Sequence, residues 1–103
     1  MPKKSMETLT ESMFYVLMAM KNGDMCGIDI AEWIDRRTNG RVTIGPATLY
    51  TLLGKFEKEK YICETMVSGR KRTYMLTDKG KTAYENELIR LKSCISDAEE
   101  GEY

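Results

Sequence analysis

The residues able to do chemistry fall in two short stretches. Thr48, Tyr50, Thr51 and Lys55 follow closely on Gly45-Pro46-Ala47, and Arg70, Lys71 and Arg72 stand side by side. Hydroxyls and small side chains can bond base edges or phosphates, and clustered cations neutralise phosphates. That chemistry suits recognition of double-stranded DNA rather than catalysis. The chain has no histidine, so the commonest general base is absent and an enzyme is not expected. Cys26, Cys63 and Cys94 are far apart in sequence and lack a visible activating motif, which makes them incidental thiols or, as a variant, redox sensors. Zinc sites of the usual Cys/His spacing are excluded, and no metal or cofactor is expected.

Charge distribution points the same way. The 103 residues carry 16 basic and 16 acidic side chains, a formal net charge of zero. Yet the span 36–81 holds eleven bases and four acids, a net +7, so the two ends together carry −7. A basic middle flanked by acidic ends fits a localised polyanion-binding face. The length fits one domain with a modest core, so help from a partner subunit is expected. The longest apolar run, Met13 to Met20, is too short for a membrane span, and Lys3 and Lys4 do not begin a signal peptide. With an odd cysteine count, these features suggest reduced thiols, a cytoplasmic location and no membrane partner.

These residues must be positioned by a run of helices and a hairpin. Residues 1–9 read as a flexible arm. Thr10 reads as the N-cap of a first helix reaching about Lys21. That helix is apolar on every side, which in so small a domain suggests that Met13, Val16, Leu17 and Met20 face a second subunit; a wholly internal core helix is the alternative. Asn22-Gly23-Asp24 is a turn. A second helix from Gly27 to Thr38 would bury Ile28, Ala31 and Ile34, leave Trp33 half-buried, and end at Asn39-Gly40. Residues 41–44 read as extended. Pro46 suits the first position of a third helix ending near Glu59, whose buried stripe is Leu49, Leu52, Leu53 and Phe56. Period-two runs at 61–67 and 73–76 predict a hairpin whose Ser68-Gly69 turn carries the three cations. An ordinary surface helix would show the same stripe, and a basic turn can be merely solvated; their succession favours DNA. Thr77 caps a last helix in which Tyr84, Leu88, Leu91 and Ile95 form an a/d seam. Its acidic end, residues 99–103, is expected to fray.

Three helices, a basic-tipped hairpin and a long helix make an α+β, mainly α, winged helix-turn-helix. Residues 10–77 would be the DNA-binding unit and 78–98 a C-terminal dimerisation helix. Within this order, GPATLYTLL, FEKEKYI and SGRKRTYMLTDKG closely resemble the PadR family of bacterial transcriptional regulators, over about Leu9 to Leu91. The single short C-terminal helix resembles the family's compact branch. The resemblance implies a dimeric repressor on a palindromic operator, with the third helix in the major groove and the wing on the adjacent backbone or minor groove. It also implies that an effector at the dimer interface is an open option, since some members release DNA when aromatic compounds bind there. This chain has no tryptophan on the last helix; Leu91 and Ile95 occupy that face. Gly54 stands where the family usually has a long polar residue, costs about 1 kcal/mol of helix stability relative to Ala, and is expected to mark a close approach. Lys60 replaces the usual helix-ending glycine, so that helix is expected to end differently. Cys26 stands where an aromatic residue or histidine is common. The reading from another class is a winged-helix module that binds protein and has no operator.

Overall fold

A computed structural model describes residues 9–100. The element order is α1 (Glu11–Met20), β1 (Met25–Cys26), α2 (Gly27–Arg37), α3 (Pro46–Lys58), β2 (Ile62–Ser68), β3 (Lys71–Leu76) and α4 (Asp78–Glu100). The strands form one antiparallel sheet in the order β1-β3-β2. This is the winged helix followed by a long helix that the hydrophobic pattern implied. Residues 1–8 of the expected arm and 101–103 of the expected tail lie outside the described residues. Within that tail, Glu99 and Glu100 are helical. The Ser96 hydroxyl donates to Glu100 Oε2 one turn later at 3.1 Å.

Thr10 caps α1 as its type suggests: the Met13 N–H donates to Thr10 Oγ1 at 3.1 Å, and the Thr10 N–H donates to Met13 Sδ at 3.3 Å. The apolar girdle of α1 is covered by the protomer itself, through α2, β3 and α4. Met13, Val16, Leu17 and Met20 are buried in that core. In the protomer these four, expected at a dimer interface, are at most 5% exposed and pack inward. Only Ser12, Tyr15 and Met18 on this helix are half-buried.

The short β1 had no counterpart in the sequence reading. It pairs Met25 with Tyr74 and Cys26 with Thr73, which fixes the entry of α2. As a result α2 buries Gly27, Ile30 and Ile34, while Ile28 stays 66% exposed. The expected Ile28 face is therefore rotated, although Trp33 is half-buried as read. Cys26 stands at the N-cap of α2, where its N–H and its thiol both donate to Asp29 Oδ2, at 3.4 and 3.2 Å. The helix ends as Asn39-Gly40 suggested, with Asn39 at φ 54° and its N–H on Arg36 O, and the Gly40 N–H on Asp35 O. Residues 41–44 form no strand; Val42 is buried and its N–H donates to the buried Thr38 hydroxyl.

Helix α3 follows its stripe closely: Leu49, Leu53 and Phe56 are buried and Leu52 is half-buried. Lys60, at φ 68°, takes the left-handed position that glycine usually fills. Its N–H donates to Glu57 O and the Tyr61 N–H to Phe56 O, the paired bonds of a Schellman ending. The helix therefore ends as a glycine would end it, contrary to the sequence expectation, and lysine bears the backbone cost. The hairpin is tighter than expected. Ser68 pairs with Lys71, leaving a two-residue turn whose first residue, Gly69, has φ 63°. A positive φ at the first turn position is what a II′ hairpin requires. Lys71 and Arg72 are thus strand residues, and Arg70 alone of the three sits in the turn.

Candidate nucleic-acid interface

Three faces run along α3. The first is the core stripe. The second carries Thr48, Thr51 and Lys55, all exposed and away from the core. The third carries Tyr50, Gly54 and Glu57, which line a cleft of about 690 Å³ shared with the start of α2 and with the wing. Arg70, Lys71 and Arg72 line the same cleft. The fold thus gathers Tyr50 and the three wing cations, while Thr48, Thr51 and Lys55 sit on the neighbouring face of the same helix.

The hydroxyls on the exposed face differ. Thr51 Oγ1 donates to Ala47 O one turn back at 3.0 Å, so its proton is committed within the helix. Among the described residues Thr48 Oγ1 makes no such bond. Tyr50 is 60% exposed, and its ring lies over the backbone of α2: a Cβ added at Gly27 would stand 3.4 Å from that ring. Gly54 lines the cleft, and a Cβ there would find nothing of the protomer within 4 Å. The close approach expected at Gly54 is not made by the protomer's own described residues.

The cations differ too. Arg72 Nε stands 3.6 Å from Glu64 Oε2 across the hairpin. Arg70 and Lys71 have no ion pair of that kind among the described residues. Asp29 at the cleft wall is held below the usual carboxylate range by the Cys26 thiol and N–H donating to it, with Lys71 adding attraction, so it stays charged. Burial raises the Tyr74 hydroxyl above its ordinary value, and the nearby Glu57 adds to this. The result is a mixed-charge cleft with a basic rim. Nothing here is arranged as nucleophile and base. Among the described residues no three His, Cys, Asp or Glu side chains gather to hold a metal. Sequence reasoning missed Asp29 and Ile28 as walls of this cleft, because only the pairing of β1 with β3 brings the start of α2 beside the wing.

The last helix divides into two parts. Tyr84 is a core residue, stacked on Phe14 at 5.1 Å and 9°, with the Lys21 ammonium 4.8 Å from its ring centroid. Like the α1 residues expected at a dimer interface, it packs inward in the protomer and is 7% exposed. Leu88 and Leu91 are half-buried against the protomer. From residue 92 onward every described residue of the helix is exposed, including Ile95 at 56%, and Ile89 is 62% exposed on an earlier turn. Glu87 is buried and its carboxylate takes two bonds from Arg90, at 2.6 and 3.0 Å.

Comparison with known proteins agrees with this geometry. The model of the transcriptional regulator PadR-like family matches residues 16–86. An uncharacterised protein of Lysinibacillus sphaericus is 33% identical over 79 residues, covering 73% of this chain and 72% of that one. A transcriptional regulator from Clostridium thermocellum superposes with TM-score 0.77 at 22% identity, over 88% of this chain and 92% of that one. Bacillus subtilis PadR in complex with operator DNA superposes with TM-score 0.67 at 24% identity, over 76% of this chain but 46% of that longer one. Bordetella bronchiseptica BpsR, whose DNA binding is regulated by 6-hydroxynicotinic acid, superposes with TM-score 0.68 at 22% identity, over 92% of this chain and 63% of that one. At these identities the structural likenesses speak for the fold.

Proposed function

Since the chain belongs to the PadR-like family, whose members are transcriptional regulators and not enzymes, we propose that it is a dimeric repressor that binds a palindromic operator. The observation that carries this reading is the convergence of the wing cations and Tyr50 beside the exposed Thr48, Thr51 and Lys55 face of α3. In this reading the N-terminal half of α3 enters the major groove. Thr48 and the Thr51 methyl meet base edges, and Tyr50 and Lys55 bond flanking phosphates. Arg70 and Lys71, with Arg72 as a lesser contributor, reach the backbone or minor groove beside it. The dimer forms through the outer part of α4, where Ile89 and Ile95 are exposed beside the half-buried Leu88 and Leu91. A two-fold axis there would present two copies of α3 to one face of the duplex. A small-molecule effector at this interface, and a cytoplasmic location, are part of the proposal. Among the described residues no helix is long and apolar enough to cross a membrane.

The test is a titration of duplexes from the chain's own upstream region against scrambled duplexes of equal length at fixed salt, with sedimentation in parallel. Exposed positions make the better dimer variants: Ile89→Glu with Ile95→Glu leaves the core intact, whereas changing Leu88 or Leu91 also disturbs packing on the protomer. The wild type should be a dimer that prefers its own upstream DNA, and the double variant a folded monomer without that preference. A wild-type monomer at micromolar concentration would remove the dimer. Equal affinity for both DNAs would remove the operator and favour a protein-binding role.

A further inference from the structure

The end of α3 and the start of α4 are joined by one hydrogen-bonded junction, although nearly the whole wing separates them in sequence. Thr77 Oγ1 donates to Lys60 O at 2.6 Å, and the Thr77 N–H donates to Tyr61 O at 3.0 Å. Those two carbonyls belong to the left-handed residue that ends α3 and to the residue after it. The same Thr77 oxygen accepts the Gly80 N–H at 3.0 Å, so it caps α4 while bonding the end of α3. Gly80 lies against the Tyr61 carbonyl. A Cβ there would collide with that backbone oxygen and press within 2.9 Å of the Leu76 side chain. Tyr61 is itself held by Phe56 of α3, ring centroids 5.9 Å apart, and by Lys79 of α4, whose ammonium is 5.5 Å from the ring centroid. Backbone and side-chain contacts thus bind the two helices at a single point.

We propose that the Thr77–Gly80 junction is the positioning element that sets the half-site spacing accepted by the dimer, by holding the recognition helix α3 at one angle to α4. Half-site spacing exists only if α4 pairs as proposed above, so this rests on that reading. The lever is long enough to matter. The junction holds the start of α4, the Phe14–Tyr84 stack holds it about two turns on, and Leu88 and Leu91 pack on the core beyond, so these contacts together fix its direction. With the junction loosened, α4 can tilt about the stack, carrying Leu88 and Leu91 with it over the core they pack on. From Tyr84 to Ile95 is roughly 16 Å at 1.5 Å per residue, so a tilt of about 10° moves the outer helix by roughly 3 Å. Across a two-fold axis that becomes about 6 Å, on the scale of two base pairs at ~3.4 Å each. Thr77 and Gly80 touch no DNA in this arrangement; they act through the angle between two helices.

The probe is a set of duplexes selected from a randomised library by the wild-type chain, then re-spaced by one and two base pairs between half-sites. The wild type should bind the selected spacing at least about tenfold more tightly than the others. Thr77→Val, which loses both Oγ1 bonds, and Gly80→Ala, which forces the helices apart, should remain dimers by sedimentation. Both should bind all spacings within about threefold of one another. Thr77→Ser, which keeps both bonds, should behave as the wild type. If Gly80→Ala does not fold, the Thr77 pair decides. A dimeric Thr77→Val with the wild-type spacing preference would overturn the proposal. So would equal loss at every spacing, the mark of a merely structural role. A wild type that ignores spacing, or selects single half-sites, removes the dimer reading itself, and that failure is visible before any variant is made.

Discussion

Removing the wing cations should flatten the salt dependence of DNA binding, and the structure says by how much. Were Arg70, Lys71 and Arg72 equal phosphate contacts in both protomers, replacing all three by alanine would remove six contacts, about 5 in the log–log salt slope at ~0.9 per contact. They are not equal. Arg72 is paired with Glu64 at 3.6 Å, whereas Arg70 sits in the turn and Lys71 beside it lines the cleft. Four lost contacts is therefore the better count for the triple variant, a change in slope of about 3.6. Between about 50 and 200 mM salt, the wild type should then lose on the order of a hundredfold more affinity than the variant does. Arg70→Ala and Lys71→Ala should each account for about 1.8 of that change, and Arg72→Ala for clearly less. Glu64→Gln should release Arg72 and steepen the slope. Fluorescence anisotropy on operator and scrambled duplexes across a salt series measures all of these. An unchanged slope in the triple variant would mean that the basic tip is only solvated. A full share lost in Arg72→Ala would mean that the Glu64 pair opens at no cost on binding.

The exposed threonines of α3 should separate cleanly. Thr48→Val should lower operator affinity by about tenfold or more, since a hydroxyl contact is worth ~1 kcal/mol or more at each of two half-sites. Thr51→Val should change affinity by less than about threefold, because its hydroxyl already donates to Ala47 O and its methyl is kept; equal losses would show that Thr51 turns outward on DNA. Lys60→Gly should raise stability by about 1 kcal/mol, read by denaturant unfolding, because glycine tolerates the left-handed backbone that lysine holds at φ 68°. A destabilised variant would show that the Lys60 side chain stabilises more than its backbone costs. The Glu87 carboxyl lies below its ordinary range, first through the Arg90 hydrogen bond and further through the Leu9 N–H. A folded-state value below the unfolded one means that its contribution is complete above the ordinary glutamate range and is lost as pH falls through the folded value. Melts between about pH 5 and pH 3 should therefore fall less steeply for Glu87→Gln than for the wild type; parallel curves would show that the ion pair is uncoupled from folding.

How much of this was legible depended on what each residue had to know about its surroundings. Helix α3 was legible because Pro46 marks its start and Leu49, Leu53 and Phe56 repeat at one helical spacing. The same periodicity could not tell which copy of the chain covers α1, and Met13, Val16, Leu17 and Met20 proved to be covered at home. The phase of α2 was misread because it is set by β1, a strand of two residues, too short to show alternation and made only by its pairing with β3. Ile28 is exposed for that reason and forms a wall of the cleft instead of the core. Lys71 and Arg72 read as turn because adjacent cations repel. Gly69 at φ 63° closes the hairpin in two residues, and Glu64 across the strand pair answers the charge of Arg72. Exposure of Thr48, Tyr50, Thr51 and Lys55 followed from the stripe alone, whereas the commitment of the Thr51 hydroxyl needed coordinates.

The zero net charge conceals a polarity that the fold makes useful. The basic span 36–81 contains α3 and the wing, while the outer part of α4 carries Asp97, Glu99 and Glu100 among residues that are all exposed. These acids sit at the negative end of the helix macrodipole, which weakens the last turn of an isolated helix and repels a phosphate backbone. Such a tail lowers the attraction of the whole molecule for DNA, yet it penalises encounters that bring α4 to the duplex and leaves those led by α3 and the wing. Orientation is then selected before any base is read. The same acids are close to one another if two outer α4 segments run parallel, and farther apart if they cross antiparallel with Ile89 and Ile95 in contact. An antiparallel crossing places the two basic faces outward from a common axis, as two half-sites on one face of a duplex require. In the dimer proposed above, an antiparallel pairing of α4 would spread these acids apart, where a parallel one would crowd them.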